Sequence, residues 1–148
     1  MEEAIKRKKT QAKIKSESES IKAIRQAVLE VKDEEVRDIL FELSGSIGKI
    51  EKKLKDKPEF AKMDNVRRFN ETYLPRTIEL IEKYRTGDGS PETMEKIKET
   101  LKICAEAFEN IEENIYERES EDTLADIEVI KAMLAREGFL DSDFDITK

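Results

Sequence analysis

The sequence predicts an all-α protein: an elongated antiparallel bundle of three or four helices, with one long amino-terminal helix and a Pro-kinked second helix. Three observations carry this. Charged residues make up 43% of the chain and aromatics 6%, the mix of long solvated helices. Five Gly and three Pro are too few for a turn-rich β fold. From Ser16 onward, apolar residues recur at steps of three and four, one face of a helix. At 148 residues the chain is the size of one domain, long enough to bury a core. It divides into a basic segment (1–15), a helical domain (16–138) and an acidic tail (139–148).

The first helix spans about Ser18 to Asp56. Its stripe is Ile21, Ile24, Val28 and Val31, then Val36, Leu40, Leu43, Ile47, Ile50 and Leu54. One step of five, across Lys32-Asp33-Glu34-Glu35, either rewinds the seam or marks a break. Gly45 and Gly48 each weaken the segment by about 1 kcal/mol. The second helix begins after Pro58 or at Asp64, with the stripe Val66, Phe69, Tyr73, Thr77, Leu80 and Tyr84. Gly87 is placed to cap it in the left-handed conformation.

Ser90-Pro91 opens the third helix with a hydroxyl cap and proline at the first helical position. Its stripe runs Met94, Ile97, Leu101, Cys104, Phe108, Ile111, Ile115, and Cys104 reads as a core thiol. The fourth, capped by Ser120 or Asp122, carries Leu124, Ile127, Ile130 and Leu134 and ends at Gly138. Stripes this narrow must face other helices.

The net charge of −7 opposes general nucleic-acid binding, which needs a basic footprint. Residues 1–15 are the exception at +4, which leaves −11 for the rest. Lys and Arg within 6–15 suit a membrane surface as well as a solvated tail. One Cys forms no intramolecular disulfide and fits a reducing compartment. No run approaches the roughly 18 apolar residues of a span, and no signal-peptide core follows the basic start. The expectation is a cytoplasmic chain, or one peripheral to the inner membrane.

Without histidine there is no Ser-His-Asp or Cys-His nucleophile, no histidine-ligated zinc and no Glu-x-x-His di-iron site. A lone Cys builds no thiolate zinc site, and Gly87-Asp88-Gly89-Ser90 lacks the lysine of a phosphate-binding loop. Asp141, Asp143 and Asp145 imitate an EF-hand start, but Ile146 stands where its glycine belongs. Asp143-Phe144-Asp145-Ile146-Thr147 imitates a phosphatase nucleophile motif without the α/β domain that motif needs. No cofactor or metal is expected, and no catalytic residue stands out.

The candidate binding face is on the second helix: Arg67, Arg68, Tyr73, Arg76, Lys83 and Tyr84. Arg68, Arg76 and Lys83 fall on one side, as an anion site requires. Glu71 and Glu79 lie three or four residues from these cations, so a solvated ion-pair ladder is the plainer reading. Pro75 sits in the same helix, where proline loses a hydrogen bond and meets the carbonyl four residues back at a cost of about 3 kcal/mol. A new helix start near Thr72 or a kink would relieve it, and the phase of the stripe favours the kink.

Over about residues 60–139 the chain resembles the 5-bromo-4-chloroindolyl phosphate hydrolysis (XpaC-like) family. The matching positions are Arg68, Phe69, Tyr73, Leu74, Pro75, Leu80, Lys83 and Tyr84, then Ile127, Glu128, Leu134, Glu137 and Gly138. The family name implies cleavage of a chromogenic phosphate ester without implying an active site. The resemblance further implies association with TelA-type toxic-anion (tellurite) resistance proteins. Many members also carry a hydrophobic amino-terminal segment, which residues 1–15 do not supply. The expected function is a non-catalytic interaction protein, linked with a TelA-like partner to toxic-anion resistance or envelope stress. The alternative is a metal-assisted phosphoesterase acting through carboxylates on aryl phosphates. A homodimer through the long first helix is a third arrangement.

Overall fold

The computed structural model describes residues 18–139, and every regular element among them is helical. The basic segment 1–15 and all of the tail but Phe139 lie outside the described residues, and so does the Asp141–Asp145 motif. Among the described residues five α-helices follow in order: α1 (Glu19–Glu30), α2 (Glu34–Asp56), α3 (Asp64–Arg68), α4 (Leu74–Thr86) and α5 (Pro91–Arg136). A 3₁₀ turn, Pro58–Lys62, precedes α3, and a π turn, Phe69–Tyr73, joins α3 to α4. The chain forms two compact units, Met1–Glu112 and Glu113–Lys148, and the division falls inside both α5 and the stretch expected as one domain.

The long first helix is two helices. Val31 turns the backbone extended, and Asp33 caps α2 by accepting from the Glu35 N–H at 2.9 Å and the Val36 N–H at 3.3 Å. The five-residue step is therefore a break, placed where an aspartate binds the exposed amides of a new helix better than continuation would. Ser18 caps α1 in the same way, accepting from the Ile21 N–H at 3.1 Å. Within the first unit α1 packs on α2 and α4. The core holds Ile24 and Ala27 of α1, Ile39, Leu43, Ile47 and Ile50 of α2, and Ile97, Leu101 and Phe108 of α5. Most of the apolar stripe of the expected first helix is thus used internally, with Ile21, Val28 and Leu54 half-buried; Leu29 and Phe41, which lie outside that stripe, are exposed.

The second helix differs from expectation at its centre. Its buried positions are Val66, Phe69, Leu74, Thr77 and Ile81, so the stripe takes a five-residue step at the π turn and passes through Leu74. Tyr73, expected in the stripe, is 43% exposed. The Leu74 N–H bonds back five residues to the Phe69 carbonyl. This wider turn answers Pro75: the backbone stays helical, and the close approach of the proline ring to the carbonyl four residues back is relieved. Asn70, Glu71 and Thr72 are exposed, so backbone groups left without a partner there have water. The buried Thr77 hydroxyl donates to the Tyr73 carbonyl at 2.6 Å, a further local bond that favours bending.

Gly87 ends α4 with φ 68°, as its position predicts. Ser90 caps α5, accepting from the Thr93 N–H at 3.2 Å. The expected third and fourth helices are one, because neither Ser120 nor Asp122 interrupts α5. Asp122 instead pairs with Arg118 one turn earlier, at 3.9 Å. Gly138, with φ 85°, closes the helix: the Phe139 N–H reaches the Leu134 carbonyl at 2.9 Å and the Gly138 N–H reaches that of Ala135 at 3.1 Å.

Candidate functional site

The six residues of the candidate face fall on three successive elements. Arg67 and Arg68 end α3, Tyr73 closes the π turn, and Arg76, Lys83 and Tyr84 belong to α4. Arg67, Arg68, Arg76 and Lys83 are all exposed. Arg67 pairs with Asp64 one turn before it, at 3.1 Å, rather than with Glu71. Arg68, Arg76 and Lys83 form no ion pair with any described residue, so the ladder with Glu71 and Glu79 is not formed. Discounting the extra residue in the π turn, each of these three stands about two helical turns, roughly 10 Å, from the next. They form a row of cations along one side.

Tyr84 departs from that row. It is half-buried beside Asp33; burial pushes its hydroxyl up, and the negative charge of Asp33 adds to the effect. It borders a network that the sequence reading missed. The Lys98 ammonium donates to Asp33 at 3.2 Å and to Glu35 at 2.9 Å, while Lys102 reaches Glu35 at 3.1 Å. Hydrogen bonds from Lys98, supported by the Val36 amide, hold the Asp33 carboxyl below its usual range. Lys98 and then Lys102 do the same for Glu35. Lys98 is pushed up in return, by Glu35 first and then Asp33.

A second cluster lies on the other side of the α1–α2 break. The Arg85 guanidinium meets Glu30 at 2.7 Å and Glu82 at 2.8 Å, and Gln26 donates to Glu30 at 3.0 Å. These bonds lower Glu30, with Arg85 the larger cause. The two clusters tie the break to α4 and to the start of α5. Lys98 and Lys102 balance Asp33 and Glu35, while Arg85 faces two acids; in both clusters the cations are engaged by carboxylates of this chain, which is the arrangement of a structural clamp. The signal available in sequence was Lys98 and Lys102, four apart on one helix, together with acids bracketing the five-residue step.

A groove of about 370 Å³ lies between Ser18 and Ile21 on one side and Ser44, Gly48, Glu51 and Lys55 on the other. Burial raises the Glu51 carboxyl, opposed by the Ser18 hydroxyl, which donates to it at 2.8 Å. None of the six candidate residues lines this groove. Cys104 is half-buried, 3.5 Å from the Thr77 hydroxyl. Among the described residues, no three Cys, Asp or Glu side chains come together as a metal site, and no helix is long and apolar enough to cross a membrane. Comparison of the chain with known protein families, curated proteins and solved structures finds no match.

Proposed function

We propose that the protein is a non-catalytic helical interaction protein acting with a TelA-like partner in toxic-anion (tellurite) resistance or envelope stress, in the cytoplasm or at the inner membrane. One observation supports the binding role: Arg68, Arg76 and Lys83 stand exposed in a row and pair with no described residue. A partner with an acidic surface would neutralise them together, and arginines add planar, bidentate contacts to carboxylates. The partner's identity rests on the XpaC-like resemblance of residues 60–139. In this reading the first unit is an antiparallel bundle whose packed core keeps the row rigid.

The test is capture of a purified TelA-like protein by the full chain, with Arg68→Glu, Arg76→Glu and Lys83→Glu as the combined control. Retention by the wild type and loss in the variant is the expected result. Equal retention, or none by either, would sink the proposal. Magnesium-dependent turnover of 5-bromo-4-chloroindolyl phosphate, abolished by changing a single carboxylate, would replace it with a phosphoesterase.

A further inference from the structure

The second unit carries an apolar stripe with no cover among the described residues. Leu124, Ile127, Ile130 and Leu134 recur at helical spacing on α5 and are between 37% and 62% exposed. Charge is distributed around them in an ordered way. Projected at about 100° per residue, Glu117, Glu121 and Glu128 follow one edge of the stripe, and Asp126 and Glu137 follow the other. Arg118 and Arg136 lie on the opposite side of the helix. Lys131 stands at the stripe itself, half-buried, where its stem extends the apolar surface. Residues 113–139 hold eight acids and three bases, a net charge of −5.

We infer that this face of α5 is a docking surface for a basic amphipathic helix of a partner protein. The apolar stripe supplies contact area, and the acidic edges select an occupant whose own stripe is flanked by Lys or Arg. The same edges disfavour two other occupants. A second copy laid stripe to stripe would bring like charges together, and an anionic lipid surface would be repelled. Its residues are different from those of the cation row, Arg68, Arg76 and Lys83, and its chemistry is opposite.

The probe is a labelled 18-residue helical peptide of Leu and Lys, with a Leu and Glu twin of the same apolar pattern. Titration of the full chain by fluorescence anisotropy should show saturable one-to-one binding of the Lys peptide, weakening with salt, and none of the Glu twin. Ile127→Ser with Leu134→Ser should weaken binding at least about tenfold, because two apolar anchors are lost. Glu121→Gln, Glu128→Gln and Glu137→Gln together should weaken it and flatten the salt dependence. These side chains are exposed, so unfolding midpoints should stay near the wild-type value. Equal binding of both peptides, or affinity indifferent to the Ser substitutions, would overturn the inference. So would a wild-type dimer in sedimentation equilibrium that Ile127→Ser dissolves. Lys-peptide binding that also survives Arg68→Glu with Arg76→Glu would show this surface to be independent of the cation row; loss there, with the stripe variants unaffected, would overturn it.

Discussion

The contact that joins the π turn to α5 is open to direct energetic measurement. Phe69 and Phe108 are both fully buried, with ring centroids 4.9 Å apart and planes at 83°, an edge-to-face pair. Phe69→Leu and Phe108→Leu keep the sites apolar and most of their volume, so each should cost about 1 to 2 kcal/mol. An edge-to-face aromatic pair is worth about 0.5 to 1.5 kcal/mol beyond buried area, and either substitution removes it entirely. The double variant should therefore cost less than the two single losses combined, by about that amount. Urea unfolding of the four proteins, followed by far-UV circular dichroism, reads the difference from midpoints at a common slope. Losses that add to within about 0.3 kcal/mol would mean that the rings do not meet in solution. The placement of the π turn against α5 would then be wrong.

Four other outcomes follow from local geometry. Gly45 lies inside α2, exposed, with nothing within 4 Å of where a Cβ would stand; Gly45→Ala should raise stability by about 0.5 to 1 kcal/mol in the same urea experiment, and a loss would contradict the helix there. Pro75→Ala should change stability by less than about 1 kcal/mol, because the π turn has already relieved the proline; a gain near 3 kcal/mol would show a strained α-helix instead. The Glu51 carboxyl is raised by burial, so its native pKa exceeds its unfolded one and stability contributed by the protonated form is lost as pH rises through the native value. Glu51→Gln should accordingly raise the thermal midpoint at pH 7 and leave it nearly unchanged near pH 4, and the reverse pattern would refute the assignment. Asp33, Glu35 and Glu30 have lowered pKa values, so their contribution is complete above the ordinary carboxylate range and fades as pH falls below it.

How much of this fold the sequence disclosed depended on the kind of signal. Helix content, the Gly87 and Ser90 caps and most buried positions were legible because they follow from local periodicity and backbone chemistry. The two five-residue steps were visible or recoverable, but their meanings differed. Between Val31 and Val36 the extra residue ends a helix, because Asp33 is there to cap the next one. Between Phe69 and Leu74 it is absorbed as a π turn: neither Asn70 nor Thr72 caps a new helix there, and Phe69 and Leu74 are both buried. Counting Tyr73 as a core residue hid that second step. In the other direction, Ser120 and Asp122 offered capping chemistry that α5 does not use.

The candidate site was harder to read, for a physical reason. Exposed carboxylates three or four residues from a cation provide only a few tenths of a kcal/mol, too little to fix a partner when another acid is within reach. Arg67 accordingly takes Asp64, and Arg85 divides itself between Glu82 on its own helix and Glu30 on α1. Lys98 finds both of its acids on another helix, at the cap and first turn of α2. Pairing of this kind is decided by tertiary contact, so sequence spacing overcounts local ladders and misses the cross-helix clamp. What the clamp leaves over is informative. Cations without a described partner occur in order along α3 and α4, and apolar residues without cover occur in order along α5. Arg68, Arg76 and Lys83 keep a regular helical spacing, as do Leu124, Ile127, Ile130 and Leu134, and regularity on one face is what a partner's helix or surface can recognise.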